Sequence, residues 1–110
     1  MTVEQIANKL NAEIINMPHP EREPDGVYCG DLLSWVMGHA KPDNLWVTIM
    51  TNKNVLAVAA LIDLSCVILC ENSQFDEEFA ETAKAKEINI IRCSADNYSV
   101  CAALHGLFNE

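Results

Sequence analysis

The sequence predicts one α/β domain over residues 1–110, a mostly parallel β-sheet flanked by helices. Three observations predict it. Short apolar runs at 45–50, 66–70 and 88–93 read as strands, and each is followed by a segment of helical character. Continuous apolar strands, without inside–outside alternation, belong to sheets covered on both faces by crossover helices. Finally, 110 residues, 50% of them apolar, suffice for one core but not two.

The elements follow in order along the chain. Thr2 is placed to cap a first helix, and Gln5, three residues on, completes a capping box. Val3, Ile6 and Leu10 form its apolar stripe, and Asn11 ends it. Residues 12–17 read as a short strand carrying Ile14 and Ile15. Pro18, Pro20, Pro24 and Gly26 then break regular structure, predicting an exposed loop or irregular edge. A strand over 27–29 follows. Asp31 is placed to cap a helix over 32–39, with Leu32, Leu33, Val36 and Met37 as its apolar face and Gly38 and Pro42 marking its end. Beyond the strand at 45–50, Thr51 or Asn52 caps a helix reaching residue 61 or 62. That helix is apolar all round, so the core or a partner subunit must cover it. After the strand at 66–70 comes an amphipathic helix over 76–86. Phe75, Phe79, Ala80 and Ala83 face inward there, and Glu77, Glu78 and Glu81 face water. The last strand, 88–93, leads to a helix capped by Asp96 or Asn97 and reaching Phe108, with Val100, Ala103, Leu104 and Leu107 as its stripe. The first 30 residues read as an accessory layer on the same domain.

Charge narrows the partners. Seven basic against 16 acidic residues give a formal net charge of −9, a surface that repels phosphate backbones and excludes nucleic acid as an expected partner. The most apolar stretch, 55–62, is far shorter than the roughly 18 residues a membrane span needs, so no membrane association is expected. The N-terminus carries no basic region followed by an apolar run, which predicts a cytoplasmic protein. Five cysteines, an odd number, are then expected to stay reduced rather than form a disulfide framework.

In open parallel sheets ligands sit beyond the carboxyl ends of the strands. Here that rim holds 30–31, 51–54, 71–73 and 94–96, each small, polar and ahead of a helix. Such groups either cap helices and make turns or hold a phosphate or carboxylate. No phosphate-binding glycine loop is present, because the four glycines are scattered. Autonomous ATP hydrolysis or phosphotransfer is therefore not expected, and neither is a cofactor. Cys29, Cys70 and Cys93 each fall near the carboxyl end of a predicted strand. They either converge as a metal or redox site or pack as small apolar side chains; no metal-type spacing supports the first. Cys101 and His105, at i and i+4, share a helix face as a packing contact or as a nucleophile and base.

The run 27–34, Val-Tyr-Cys-Gly-Asp-Leu-Leu-Ser, followed by Val36-Met37-Gly38, resembles the early part of DRTGG domains. Leu45 to Ile49, Thr51, Asn54-Val55 and 57–59 are similar to the strand and helix that follow in that family. The resemblance extends over nearly the whole chain, although no contiguous Asp-Arg-Thr-Gly-Gly run occurs. It implies a fold like the N-terminal domain of HPr kinase/phosphorylase. It also implies a non-catalytic regulatory and oligomerisation module, forming a homodimer and acting in trans on a partner protein. The family's occurrence beside nucleotide- and phosphate-handling enzymes implies an alternative: a sensor of a small anionic ligand, a nucleotide or phosphorylated metabolite. It would bind at the rim around Asp31, Ser34, Thr48, Thr51 and Asn54.

Overall fold

A computed structural model describes residues 1–109. The chain runs α1 (Val3–Lys9), β1 (Glu13–Asn16), β2 (Gly26–Cys29), α2 (Leu33–His39), β3 (Asn44–Thr48), α3 (Lys53–Ile62), β4 (Cys66–Leu69), α4 (Glu77–Ala85), β5 (Ile90–Arg92) and α5 (Asn97–Phe108). The five strands form one sheet in the order β1-β5-β4-β3-β2. Strands β2 to β5 are mutually parallel, and β1 runs antiparallel along β5. The fold class expected from the sequence is the one observed.

Consecutive parallel strands lie side by side, so α2, α3 and α4 all cross on one face. Val36, Val55, Leu56, Phe79 and Ala83 from these helices pack there against Trp46, Val67, Leu69 and Ile90. The alternate strand residues, Leu45, Val47, Cys66, Ile68 and Ile91, point the other way. They meet Val3, Ile6 and Ala7 of α1 and Val100 and Leu104 of α5. Two dry layers thus sandwich the sheet, which is why its central strands carry apolar residues at nearly every position. Burying a side chain such as Phe79 or Leu104 contributes roughly 1.5–3 kcal/mol before entropy is counted.

The irregular segment after β1 is anchored rather than loose. Its carbonyls at Pro20 and Arg22 accept from Glu4 N and Val3 N, pairing donors that the first turn of α1 leaves free. The Arg22 guanidinium bonds Asp43, Asp63 and the Leu64 carbonyl, clamping the amino ends of β3 and β4. Asn89 is buried, and its side chain makes three hydrogen bonds. Its Oδ1 accepts from His19 N, and its Nδ2 donates to the carbonyls of His19 and Ser65.

Several local expectations are corrected. Asp31 does not cap α2: the N-cap is Leu32, which makes no side-chain cap bond. The apolar face assigned to that helix is only partly real, because Val36 is buried while Leu32 and Met37 are exposed. Strand β3 stops at Thr48, two residues short of expectation, because the chain turns at Ile49 to meet Asp31. Asn52, of the two candidates, caps α3 by accepting from Asn54 N. That helix buries Val55, Leu56, Val58 and Ala59, yet it leaves Leu61 72% exposed, so the core covers one side only. Ala103 lies on the open side of α5, and Cys101 packs toward the core instead. The N-terminal segment is no added layer alone, since β1 completes the sheet.

Candidate functional site

The carboxyl ends of β2 and β3 and the start of α5 meet at Asp31. Its Oδ1 accepts from the Thr48 hydroxyl at 2.6 Å and from Ile49 N at 2.9 Å. Its Oδ2 accepts from Asn97 Nδ2 at 3.3 Å. Thr48 is fully buried, and its Oγ1 also accepts from Met50 N at 3.2 Å. The Gly30 carbonyl beside this node accepts from Trp46 Nε1 at 2.9 Å. A carboxylate with three donors on two other segments acts as a strut. It holds the loop after β2 against the turn after β3 and the first residue of α5.

Of the five rim residues expected from the sequence, the structure bonds Asp31 to Thr48. The other three stand apart from that pair. Ser34 and Asn54 are exposed. Thr51 lines a separate notch of about 240 Å³ with Asn52, Lys53, Asp76, Glu78 and Phe79, between the starts of α3 and α4. The residue that joins the strut without having been foreseen is Asn97. Its only signal in the sequence was the choice between Asp96 and Asn97 as cap. The structure divides the roles: Asp96 caps α5 by accepting from Ser99 N at 2.8 Å, and Asn97 turns back to Asp31. The carboxylate partner fixes which way the Asn97 amide faces, and its Oδ1 is left buried without a donor.

Of the helix starts along the rim, those of α3, α4 and α5 are capped by side chains, and that of α2 is not. Asn52, Asp76 and Asp96 accept from Asn54 N, Phe79 N and Ser99 N. The bond from the Ser99 backbone holds the Asp96 carboxyl below its ordinary pKa, helped by the Ser99 side chain.

The thiols gather on the α5 side of the sheet. Cys29 is exposed at the end of β2, Cys101 is half-buried on α5, and Cys70 and Cys93 are buried. Burial pushes Cys70 up to about 12, with smaller contributions from Cys93, Cys101 and Cys29. Burial also pushes Cys93 up. Cys101 is pushed up to about 11, first by burial and then by the neighbouring Cys29 thiol. A raised thiol is the opposite of an activated nucleophile. His105 bonds Asn109 rather than Cys101. The Cys101–His105 pair is therefore not assembled as nucleophile and base, although both line an open groove of about 470 Å³ beside β2. Among the described residues, no three His, Cys, Asp or Glu side chains are grouped to hold a metal ion. No helix among them is long and apolar enough to cross a membrane.

Comparison with known proteins bears on this arrangement. The DRTGG domain family matches residues 5–107. No curated protein matches the chain. Among solved structures, the chain is similar to the CBS and DRTGG domains of the regulatory region of Clostridium perfringens pyrophosphatase, complexed with its activator diadenosine tetraphosphate. The TM-score is 0.76 at 15% identity, which is a likeness of fold. The match covers 93% of this chain but 45% of that one, so this chain spans under half of the solved region.

Proposed function

The chain belongs to the DRTGG domain family, and from that premise we propose that it is a non-catalytic regulatory module that self-associates as a homodimer and acts in trans on a partner protein in the cytoplasm. The observation that carries the non-catalytic part is the Asp31 strut. Its carboxylate, at the junction of β2, β3 and α5, accepts from Thr48, Ile49 and Asn97. A general base needs a lone pair facing substrate, and Oδ1 directs both of its own at Thr48 and Ile49. Asp31 instead ties three segments together, which suits a domain that transmits a change in shape. The net charge of −9 supports a protein or small-molecule partner over nucleic acid.

The experiment is a phosphate-release assay with ATP, acetyl phosphate and pyrophosphate. The expected result is release no faster than the buffer blank. Saturable release that Asp31→Asn abolishes would overturn the reading.

A second reading has one specific observation in its favour. The pyrophosphatase regulatory region binds diadenosine tetraphosphate, and the orphaned Asn97 Oδ1 at this rim accepts a hydrogen bond from whatever donor reaches it. In this reading the module senses a nucleotide or phosphorylated metabolite at the rim around Asp31, Ser34, Thr48, Thr51 and Asn54. A ligand pairing with Asn97 would loosen or tighten the strut and so reposition α5. Calorimetry with diadenosine tetraphosphate, adenine nucleotides and acetyl phosphate tests it. Heat of binding in wild type that is lost in Asn97→Ala supports the sensor; flat titrations with all of them remove it.

A further inference from the structure

Helix α2 leaves an uncharged apolar face open to water. Leu32 at its start is 63% exposed, Trp35 58% and Met37 50%. The outermost positions between those flanks are small: Ser34 and Gly38, four residues apart on one face. A Cβ placed on Gly38 would meet nothing within 4 Å. Trp35 is already ordered, stacked on His39 with ring centroids 4.1 Å apart and planes 16° apart, while His39 Nδ1 lies 2.8 Å from the Trp35 carbonyl. We infer that this face of α2 docks against the same face of a second copy of the chain, with the Ser34–Gly38 strip admitting the partner helix and Trp35, Leu32 and Met37 closing over it.

Charge argues for this occupant. Each copy carries a net −9, so two copies meeting through most of their surface would set acid against acid. From residue 32 to residue 40 there is no Asp, Glu, Lys or Arg, and the one titratable side chain, His39, stacks on Trp35. Helix α5 is uncharged too, but apart from Tyr98 its open middle offers only small side chains, Ser99, Ala102 and Ala103, and so little apolar area. A two-fold contact presents the same patch on both sides, and a patch of small residues flanked by large apolar ones is complementary to itself. The inference rests on the self-association proposed above and names its surface.

Sedimentation equilibrium over a range of concentrations tests it, on wild type and on Gly38→Gln, Trp35→Ser and Gly106→Gln. Gly38→Gln and Gly106→Gln both place a side chain into open space on the protomer, so neither disturbs its packing. The expected result is a wild-type dimer whose dissociation constant rises about tenfold or more in Gly38→Gln and Trp35→Ser and is unchanged in Gly106→Gln. Circular dichroism confirms that each variant is folded. A dimer that keeps its affinity in Gly38→Gln overturns the α2 surface and leaves self-association standing. A wild-type monomer at about 100 μM overturns both.

Discussion

Replacing Asp31 by Ala should destabilise the fold by about 2–3 kcal/mol, although the residue is solvent-accessible and belongs to neither core layer. Two of the bonds lost are charge-assisted and short, 2.6 Å to the Thr48 hydroxyl and 2.9 Å to Ile49 N. Such bonds contribute roughly 1.5–3 kcal/mol each when shielded and less at a wet rim. The Thr48 hydroxyl is fully buried, so in the variant its proton has no acceptor. Asp31→Asn keeps an acceptor for both donors and lets Asn97 turn over, so it should cost only about 1 kcal/mol. Asn97→Ala should be close to neutral, because it removes a 3.3 Å bond together with an acceptor that has no donor. Urea unfolding followed by circular dichroism at one protein concentration ranks the three. The cycle of Asp31→Ala with Thr48→Val should show a coupling of about 1 kcal/mol. An Asp31→Ala variant within about 0.5 kcal/mol of wild type, or a cycle without coupling, would refute the strut.

Other expectations follow from the same structure. Asn89→Ala should cost about 2–3 kcal/mol in urea unfolding, since it strands His19 N and two carbonyls inside the amino-end network. Phe79→Ala should cost about 3–5 kcal/mol, being fully buried between α3, α4 and the sheet, and a loss below about 1 kcal/mol would contradict the packing described. The folded-state pKa of Asp96 is depressed, so its cap contributes full stability above the unfolded-state value and loses it as pH falls through the lower, folded one. A carboxyl NMR titration of Asp96 should therefore show a midpoint below that of an ordinary aspartate. Thiol labelling of native protein should modify Cys29 fast and Cys101 slowly, whereas Cys66, Cys70 and Cys93 should react only in denaturant.

Much of the sheet was legible in the sequence because strand burial leaves a local mark. Uncharged runs at β3 and β4 were readable without tertiary knowledge, as was the cap at Thr2. What was not legible depends on long-range pairing. Asp31 before a helix reads as a cap by every local rule, yet its carboxylate goes to Thr48 and Ile49, 17 and 18 residues away. Asn97 was invisible as part of the rim for the same reason, since its partner is 66 residues distant. The antiparallel direction of β1 also escaped local reading, because only β5 determines it. On α2, periodicity marked Leu32 and Met37 as core, but nothing packs outside that helix layer to cover them. The gathering of thiols on the α5 side was left open by sequence spacing and follows from alternation along β4 combined with the return of α5 across β2 and β3.

Native mass spectrometry of gently purified protein tests the central claim most directly, because one spectrum reports subunit number and retained mass. The account predicts the mass of two chains with no metal, and either no added mass, for a module that acts through a partner, or one nucleotide-sized addition per chain, for a sensor. A single-chain mass at every concentration would contradict it.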